Sequence, residues 1–158
     1  MVSNVYLDKT LRDIEGWRGV YPADNVPSKI FTRSPRPQFT IINTNPINVP
    51  GGHWLLLSRY NSRDGIVLEL FDSLAYPISV LDDRIKKVFI QETYALFKTN
   101  VKIIQHVNSR YCGIFAIARI LSILKDQSLL SHLKIYSEKL EDNSRICYLY
   151  IRSSVTLG

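Results

Sequence analysis

The 158 residues suit one domain spanning 1–158, and 46% hydrophobic with 22% charged residues is an ordinary globular balance, neither disordered nor fibrous. Twenty Lys and Arg against fourteen Asp and Glu leave a net charge of +6, dispersed apart from short clusters such as RIKK at 84–87; this reads first as a solvated surface and favours acidic partners or nucleic acid only weakly. No apolar run approaches 20 residues, which excludes a membrane-spanning helix.

In chain order, residues 3–14 are expected to form a short helix ending near Gly16. MVSNVYLDKTLRDIEGW lacks the basic head and apolar centre of a secretory signal. GVYPADNVP is turn-rich and extended, and the Pro-rich RSPRPQ at 33–38 is a surface loop inside the domain. FTIINT at 39–44 reads as a strand, and NPINVPGG at 45–52 as a loop. HWLLLSRY at 53–60 and IVLELFD at 66–72 read as two strands joined by NSRDG. From residue 80 to 97, Leu81, Ile85, Val88, Phe89 and Leu96 recur at helical spacing. NVKIIQ at 100–105 is short and β-branched, hence a strand. Residues 112–125 are too long and too apolar for a half-exposed strand and predict a buried helix, with Asn108 or Ser109 near its cap. Residues 128–141 predict another helix, and NSRICYLYI at 143–151 a last one capped by Asn143 or Ser144. Strands and helices without regular βα alternation point to α+β, with helices against a mostly antiparallel sheet.

Two cysteines are too few for a disulfide framework and imply a reducing compartment. With three histidines and no CxxC or HxxxH spacing, they also argue against structural zinc. Cys112 falls at the start of the predicted buried helix, where free N–H groups and the dipole favour a thiolate. Gly113 leaves the approach to its sulfur open. Taken alone, Cys112 reads better as a small buried hydrophobe. His53 alters that balance, since a thiolate pathway needs a base. A hairpin turning between Ser62 and Arg63 places Asp72 opposite His53, and direct cross-strand neighbours lie about 4.5–5.5 Å apart at Cβ. Asp72 is then positioned to orient the imidazole. Gln105 ends a predicted strand seven residues before Cys112; its amide and the Cys112 backbone N–H are candidate oxyanion donors, though a solvent-facing glutamine is an equal reading. His106 is a rival base without a nearby carboxylate. His132 is expected on an exposed helix face, and Cys147, inside an apolar run, is expected to be a buried structural thiol.

GGHWLLL, ELFDSL and QHVNSRYCGIFAIARI together resemble the adenovirus-type cysteine proteases, which share a fold with the ubiquitin-like-protein-specific proteases that process SUMO. The family order of His, Asp or Glu, Gln and Cys matches His53, Asp72, Gln105 and Cys112. Six residues separate Gln105 from Cys112, as in the adenoviral branch, and Asn108 and Ser109 match a pair frequent in that gap. GWRGVYPADNVP is similar to the segment that opens the core of viral members. The resemblance covers roughly residues 16 to 125. It implies a papain-like, adenain-like fold and a cysteine endopeptidase with Trp54 lining the substrate cleft. Its substrates would be viral or virus-like capsid precursors cut near Gly-Gly or Gly-Ala, in host cytoplasm, nucleus or virion. The length is shorter than adenoviral enzymes and fits the compact proteases of virophages and Polinton (Maverick) elements. The same four residues would equally serve a deconjugase that removes a ubiquitin-like modifier. Adenoviral members link an activating peptide to a cysteine some eleven residues before the glutamine; Tyr94 stands there, so any activator is expected to be a non-covalent peptide or, better, DNA of arbitrary sequence. The sequence itself requires no cofactor.

Overall fold

Two apolar faces on one set of strands decide the architecture. The computed structural model describes residues 2–91 and 94–156. In chain order these form α1 (Asn4–Leu11), β1 (Trp17–Tyr21), β2 (Gln38–Asn43), β3 (Trp54–Ser62), β4 (Gly65–Phe71), α2 (Asp83–Gln91), β5 (Leu96–Thr99), α3 (Cys112–Leu124), α4 (Leu129–Leu133) and α5 (Asn143–Thr156), with single 3₁₀ turns at Ala23–Asn25, Ile78–Val80 and Leu140–Asp142. Along β2, β3 and β4 successive side chains point to opposite faces. Phe39, Ile41, Trp54, Leu56 and Phe71 meet α1, α3 and α5 in one core. Ile42, Leu55, Leu57 and Leu70 meet Leu81, Ile85 and Val88, at and within α2, in a second core on the other face. The sheet is therefore covered on both sides, which explains why its strands are nearly continuous apolar runs.

The strand order is β1-β2-β3-β4-β5. The long ladders, β2 with β3 and β3 with β4, are antiparallel, as expected; the outer pairs, β1 with β2 and β4 with β5, are parallel. The architecture is thus α+β with a mixed sheet. The parallel pairs follow from the connections: segment 22–37 carries the chain from β1 back to β2, and α2 lies between β4 and β5.

Three predicted elements are corrected. The helical spacing at 80–97 resolves into α2 and then β5; residues 92 and 93 lie outside the described residues. Leu96, the last residue of that spacing, belongs to β5, where the next residue, Phe97, packs its ring on Phe89 of α2 with centroids 4.8 Å apart. The strand predicted at 100–105 lies instead at Leu96–Thr99, and 100–105 is irregular. The ladder stops because the Asn100 side chain takes over: its Oδ1 accepts the Asp72 N–H at 2.9 Å and its Nδ2 donates to the Asp72 carbonyl at 2.6 Å, the bonds a strand partner would make. The helix predicted over 128–141 shrinks to α4, capped by Ser128, whose Oγ accepts the Ser131 N–H. Asn143 then ties the following loop to Ser137 through both ends of its amide. Helix α3, by contrast, is buried almost all round, as an evenly apolar helix must be. Its N-cap is Tyr111, without a side-chain cap bond, rather than Asn108 or Ser109.

Candidate active site

Three elements end at one place. Helix α3 begins with Cys112, β3 begins one residue after His53, and β4 ends one residue before Asp72. His53 is fixed through its backbone: its N–H donates to Thr44 Oγ1, and its carbonyl accepts the Thr44 N–H, both at 2.9 Å. Gly52, just before it, has φ +86°, and a Cβ there would fall 2.1 Å from Asn43 Oδ1, so only glycine lets the loop enter β3 this closely.

The His53 Nε2 lies 2.5 Å from Asp72 Oδ1, both side chains being buried. The hairpin register that anticipated this contact needs correction. Ser62 pairs with Gly65 and Leu56 with Phe71, so the turn centres between Arg63 and Asp64, one residue later than expected, and every pairing shifts by two. An even shift keeps each side chain on its face of the sheet. His53 and Asp72 are therefore diagonal rather than direct neighbours, just beyond the ladder's end, and still within reach.

Asp72 does more than face the histidine. Its Oδ1 also accepts the Leu74 N–H at 2.8 Å and its Oδ2 the Tyr76 N–H at 3.0 Å, while Asn100 clamps its backbone. The carboxylate is locked in one orientation by a turn of its own making. The Tyr76 ring stands edge-on to the imidazole, with centroids 6.2 Å apart.

With Nε2 on Asp72, Nδ1 is the nitrogen left for Cys112. Burial works against a charged His53, but hydrogen bonds to Asp72 and Cys112 and their charges outweigh it and lift its pKa from 6.5 to about 9. Burial likewise opposes a Cys112 thiolate. The His53 hydrogen bond, the Trp54 backbone N–H, the His53 charge and the Gly113 N–H outweigh that and hold the thiol below its ordinary value. The two shifts are complementary and both favour a thiolate–imidazolium pair at the N-terminus of a buried helix. Cys147 differs: it is fully buried in α5, bonded to the Ile114 carbonyl, and burial pushes its thiol up to about 12.

Gln105 lies in the irregular segment after β5, not at a strand end. Its Nε2 donates to the Ser109 carbonyl at 2.9 Å, and its Oε1 accepts the Ser73 hydroxyl at 2.5 Å. Trp54 is buried in the core, donates from Nε1 to the Val2 carbonyl at 2.9 Å, and lines a cavity of about 320 Å³ with Val20, Tyr21, Ile47 and Val49. Gly113 does not open an approach to the sulfur. The space its missing side chain leaves is filled by Leu7 and Val2, each 3.2 Å from where a Cβ would stand. His106 is half-buried and accepts the Asn108 N–H in its own loop. His132 is not exposed but fully buried, against the rings of Phe71, Tyr136 and Tyr150.

Sequence reasoning missed Ser73, Asn100 and a buried ion pair behind the site. Arg119 of α3 and Glu69 of β4 are both wholly buried and joined by two parallel bonds of 2.8 Å. A signal was present: an arginine amid GIFAIARI and a glutamate amid IVLELF must find each other if those segments are buried. Ser73 and Asn100 carried no such mark. Among the described residues no group of three or more His, Cys, Asp and Glu could hold a metal ion, and no helix is long and apolar enough to cross a membrane.

No family model and no curated protein matches the chain. Solved structures do. The ASFV pS273R protease aligns over 98% of this chain and 66% of its own, at 15% identity and a TM-score of 0.62. Its selenomethionine form aligns over 75% and 43%, at 17% identity and 0.49. A de-sumoylating protease aligns over 98% and 62%, at 16% identity and 0.42. The chain thus spans less than two thirds of the pS273R protease, and at these identities what is shared is the fold.

Proposed function

We propose that the chain is a cysteine endopeptidase. One observation carries this reading: a single buried imidazole is shared between a carboxylate at 2.5 Å and a thiol whose pKa is lowered as its own is raised. The fold likeness to the ASFV pS273R protease supports it, as does the order of His53, Asp72, Gln105 and Cys112.

In this mechanism the Cys112 sulfur attacks the scissile carbonyl carbon. An S–C bond forms and the carbonyl π pair moves to oxygen. That oxyanion is met by the second N–H of Gln105 Nε2 and by the Cys112 backbone N–H, which at the first position of α3 has no intrahelical acceptor. The imidazolium of His53 gives its proton to the departing amine as the C–N bond breaks. Neutral His53 then takes a proton from water as its oxygen attacks the thioester carbon; the S–C bond breaks with its electron pair returning to the Cys112 sulfur, and the acid leaves. Asp72 holds the ring in the required tautomer throughout.

The substrates are precursor polypeptides cut beside small residues such as Gly-Gly or Gly-Ala, entering along Trp54. Virion or capsid precursors of a virophage- or Polinton-like element are the class that the motif resemblance supports, processed in host cytoplasm, nucleus or virion. Two unpaired cysteines suit such reducing surroundings. The +6 charge supports non-specific DNA as an activator. The test is incubation with a capsid precursor carrying a Gly-Gly or Gly-Ala site and, in parallel, with a ubiquitin-like modifier fusion. Cleavage of the precursor, absent in Cys112→Ala, is the expected result. Cleavage of the fusion alone makes the chain a deconjugase, and cleavage by Cys112→Ala removes the sulfur from the reaction.

A further inference from the structure

A glutamine amide serves an oxyanion with one end only. Its Nε2 stabilises negative charge and its Oε1 repels it, yet the two ends have almost the same shape, so packing cannot choose between them. At Gln105 the choice is made by hydrogen bonds. The Ser109 carbonyl, 2.9 Å away, accepts only from an N–H and so requires nitrogen at that end. Opposite it, the Ser73 hydroxyl lies 2.5 Å from Oε1 and must donate. Ser73 and Gln105 are both almost wholly buried. The Ser73 carbonyl also accepts the N–H groups of Ile104 and Gln105, each at 3.0 Å, so side chain and backbone hold the same residue.

We infer that Ser73 is a positioning residue for the oxyanion donor: by donating to Oε1 it keeps the second Nε2–H of Gln105 facing the substrate carbonyl. Ser109 cannot do this alone, because it sits in the same polar loop as Gln105, whereas Ser73 is anchored where β4 ends. The adjacent residue, Asp72, holds His53. One dipeptide therefore sets both halves of the site, Asp72 the base and Ser73 the oxyanion donor, and a shift of the end of β4 moves them together. A hydroxyl donating to Oε1 also polarises the amide and strengthens its N–H groups as donors. The inference rests on the peptidase reading.

The test uses Ser73→Ala, Gln105→Ala and the double variant, with a fluorogenic coumarin amide of a peptide ending in Gly-Gly. Removing one oxyanion donor outright costs about 10²–10³-fold in kcat, so loss of its anchor should cost at least about 10-fold, with KM little changed. Cys112 should alkylate with iodoacetamide at the wild-type rate and pH profile, since Ser73 does not touch the thiolate pair. The double variant should fall no further than Gln105→Ala. Independently of turnover, the Gln105 side-chain amide resonance, assigned by its loss in Gln105→Ala, should lose hydrogen-exchange protection in Ser73→Ala. Protection unchanged in Ser73→Ala, or losses that add in the double variant, overturns the inference. Turnover surviving in Cys112→Ala overturns the peptidase reading instead, and the amide signal tells the two failures apart.

Discussion

His53 is a cation because of its neighbours, and Asp72 is the one that can be changed without touching the sulfur. In Asp72→Asn the ring loses both its strongest hydrogen-bond acceptor and the nearest negative charge. The alkaline limb of kcat/KM, set by loss of the imidazolium near pH 9, should then move down toward the ordinary 6.5. A pH–rate profile checks this, and an unmoved limb would mean that Cys112 alone holds the proton on His53. The two cysteines separate by the same reasoning. At pH 7.5 iodoacetamide should modify Cys112 and spare Cys147, whose thiol is pushed up to about 12 and wholly buried; peptide mapping after brief labelling reads the order. At this scale the contact between His53 and Asp72 was legible, because three histidines leave few candidates and the hairpin selects one carboxylate among fourteen acidic residues. Their supports were not. Asn100 and Ser73 act through hydrogen bonds that only the folded turn brings into reach, and nothing in the strings FDSL or TNVK marks them.

Among the elements, α3 decides how firmly the sulfur is placed. Arg119 lies seven residues along from Cys112 on that helix, and its fork bonds Glu69 of β4, the strand that ends one residue before Asp72. The helix that begins at Cys112 and the strand that leads to Asp72 are thus pinned by one ion pair. Burial opposes the Arg119 charge, but Glu69 outweighs it. The Arg119 Nη1 also donates to Ser122 Oγ at 2.8 Å and to the Gln127 carbonyl at 3.0 Å, and Tyr60 donates to Glu69 at 2.5 Å. Arg119→Met leaves Glu69 buried without its counter-charge and should destabilise the fold by about 3–5 kcal/mol, read as a lower urea midpoint. Adding Glu69→Leu should recover much of that loss, since an apolar pair of similar volume replaces a buried ion pair at little cost. A double variant as unstable as the single one would show that the pair matters through Ser122, Gln127 and Tyr60 rather than through charge. Elements were legible where one physical signal dominated, as in β2, β3, β4 and α3, whose apolar runs leave no alternative to burial. They were illegible where a side chain replaced backbone pairing: Asn100 ends a strand ladder and looks like an ordinary loop residue in sequence, and Asn143, readable as a helix cap, gave no sign that its amide also ties the preceding loop at Ser137. The hairpin register was misplaced by two, and the contact between His53 and Asp72 survived only because an even slip preserves the face.

The whole molecule carries two buried histidines with opposite demands, and together they shape its stability. His132 is held neutral: burial first, and then the Arg119 charge, push its pKa down to about 3. The groups around it are Arg119, the Tyr136 hydroxyl 3.3 Å from Nε2, and the rings of Phe71 and Tyr150; none supplies a negative charge at neutral pH. Between pH 3 and 6.5 the unfolded chain protonates this histidine and the folded chain does not, so stability rises with pH across that window. His53 has the reverse sign. Its folded pKa of about 9 exceeds the unfolded 6.5, so its contribution is complete below pH 6.5 and is lost as pH rises toward 9. Cys112, whose thiol is held below its ordinary value in the folded state, contributes with the opposite sign and offsets part of that loss. Wild-type stability should therefore climb from acid to about pH 6.5 and fall above it less steeply than His53 alone would dictate. Replacing Cys112 by Ala removes that offset together with the part of the His53 shift that Cys112 supplies, so the decline left above pH 6.5 should be the part that Asp72 holds. Replacing His132 by Leu should flatten the acid limb. From pH 4.5 to 6.5, where ordinary carboxylates are mostly ionised, the unfolding free energies of wild type and His132→Leu should diverge by about 1.4 kcal/mol per pH unit at the acid end, one proton's worth, falling to about half that at pH 6.5. Parallel curves from urea unfolding at stepped pH would mean that the folded state takes up that proton after all, and that the packing around His132 opens to water before the rest of the fold gives way.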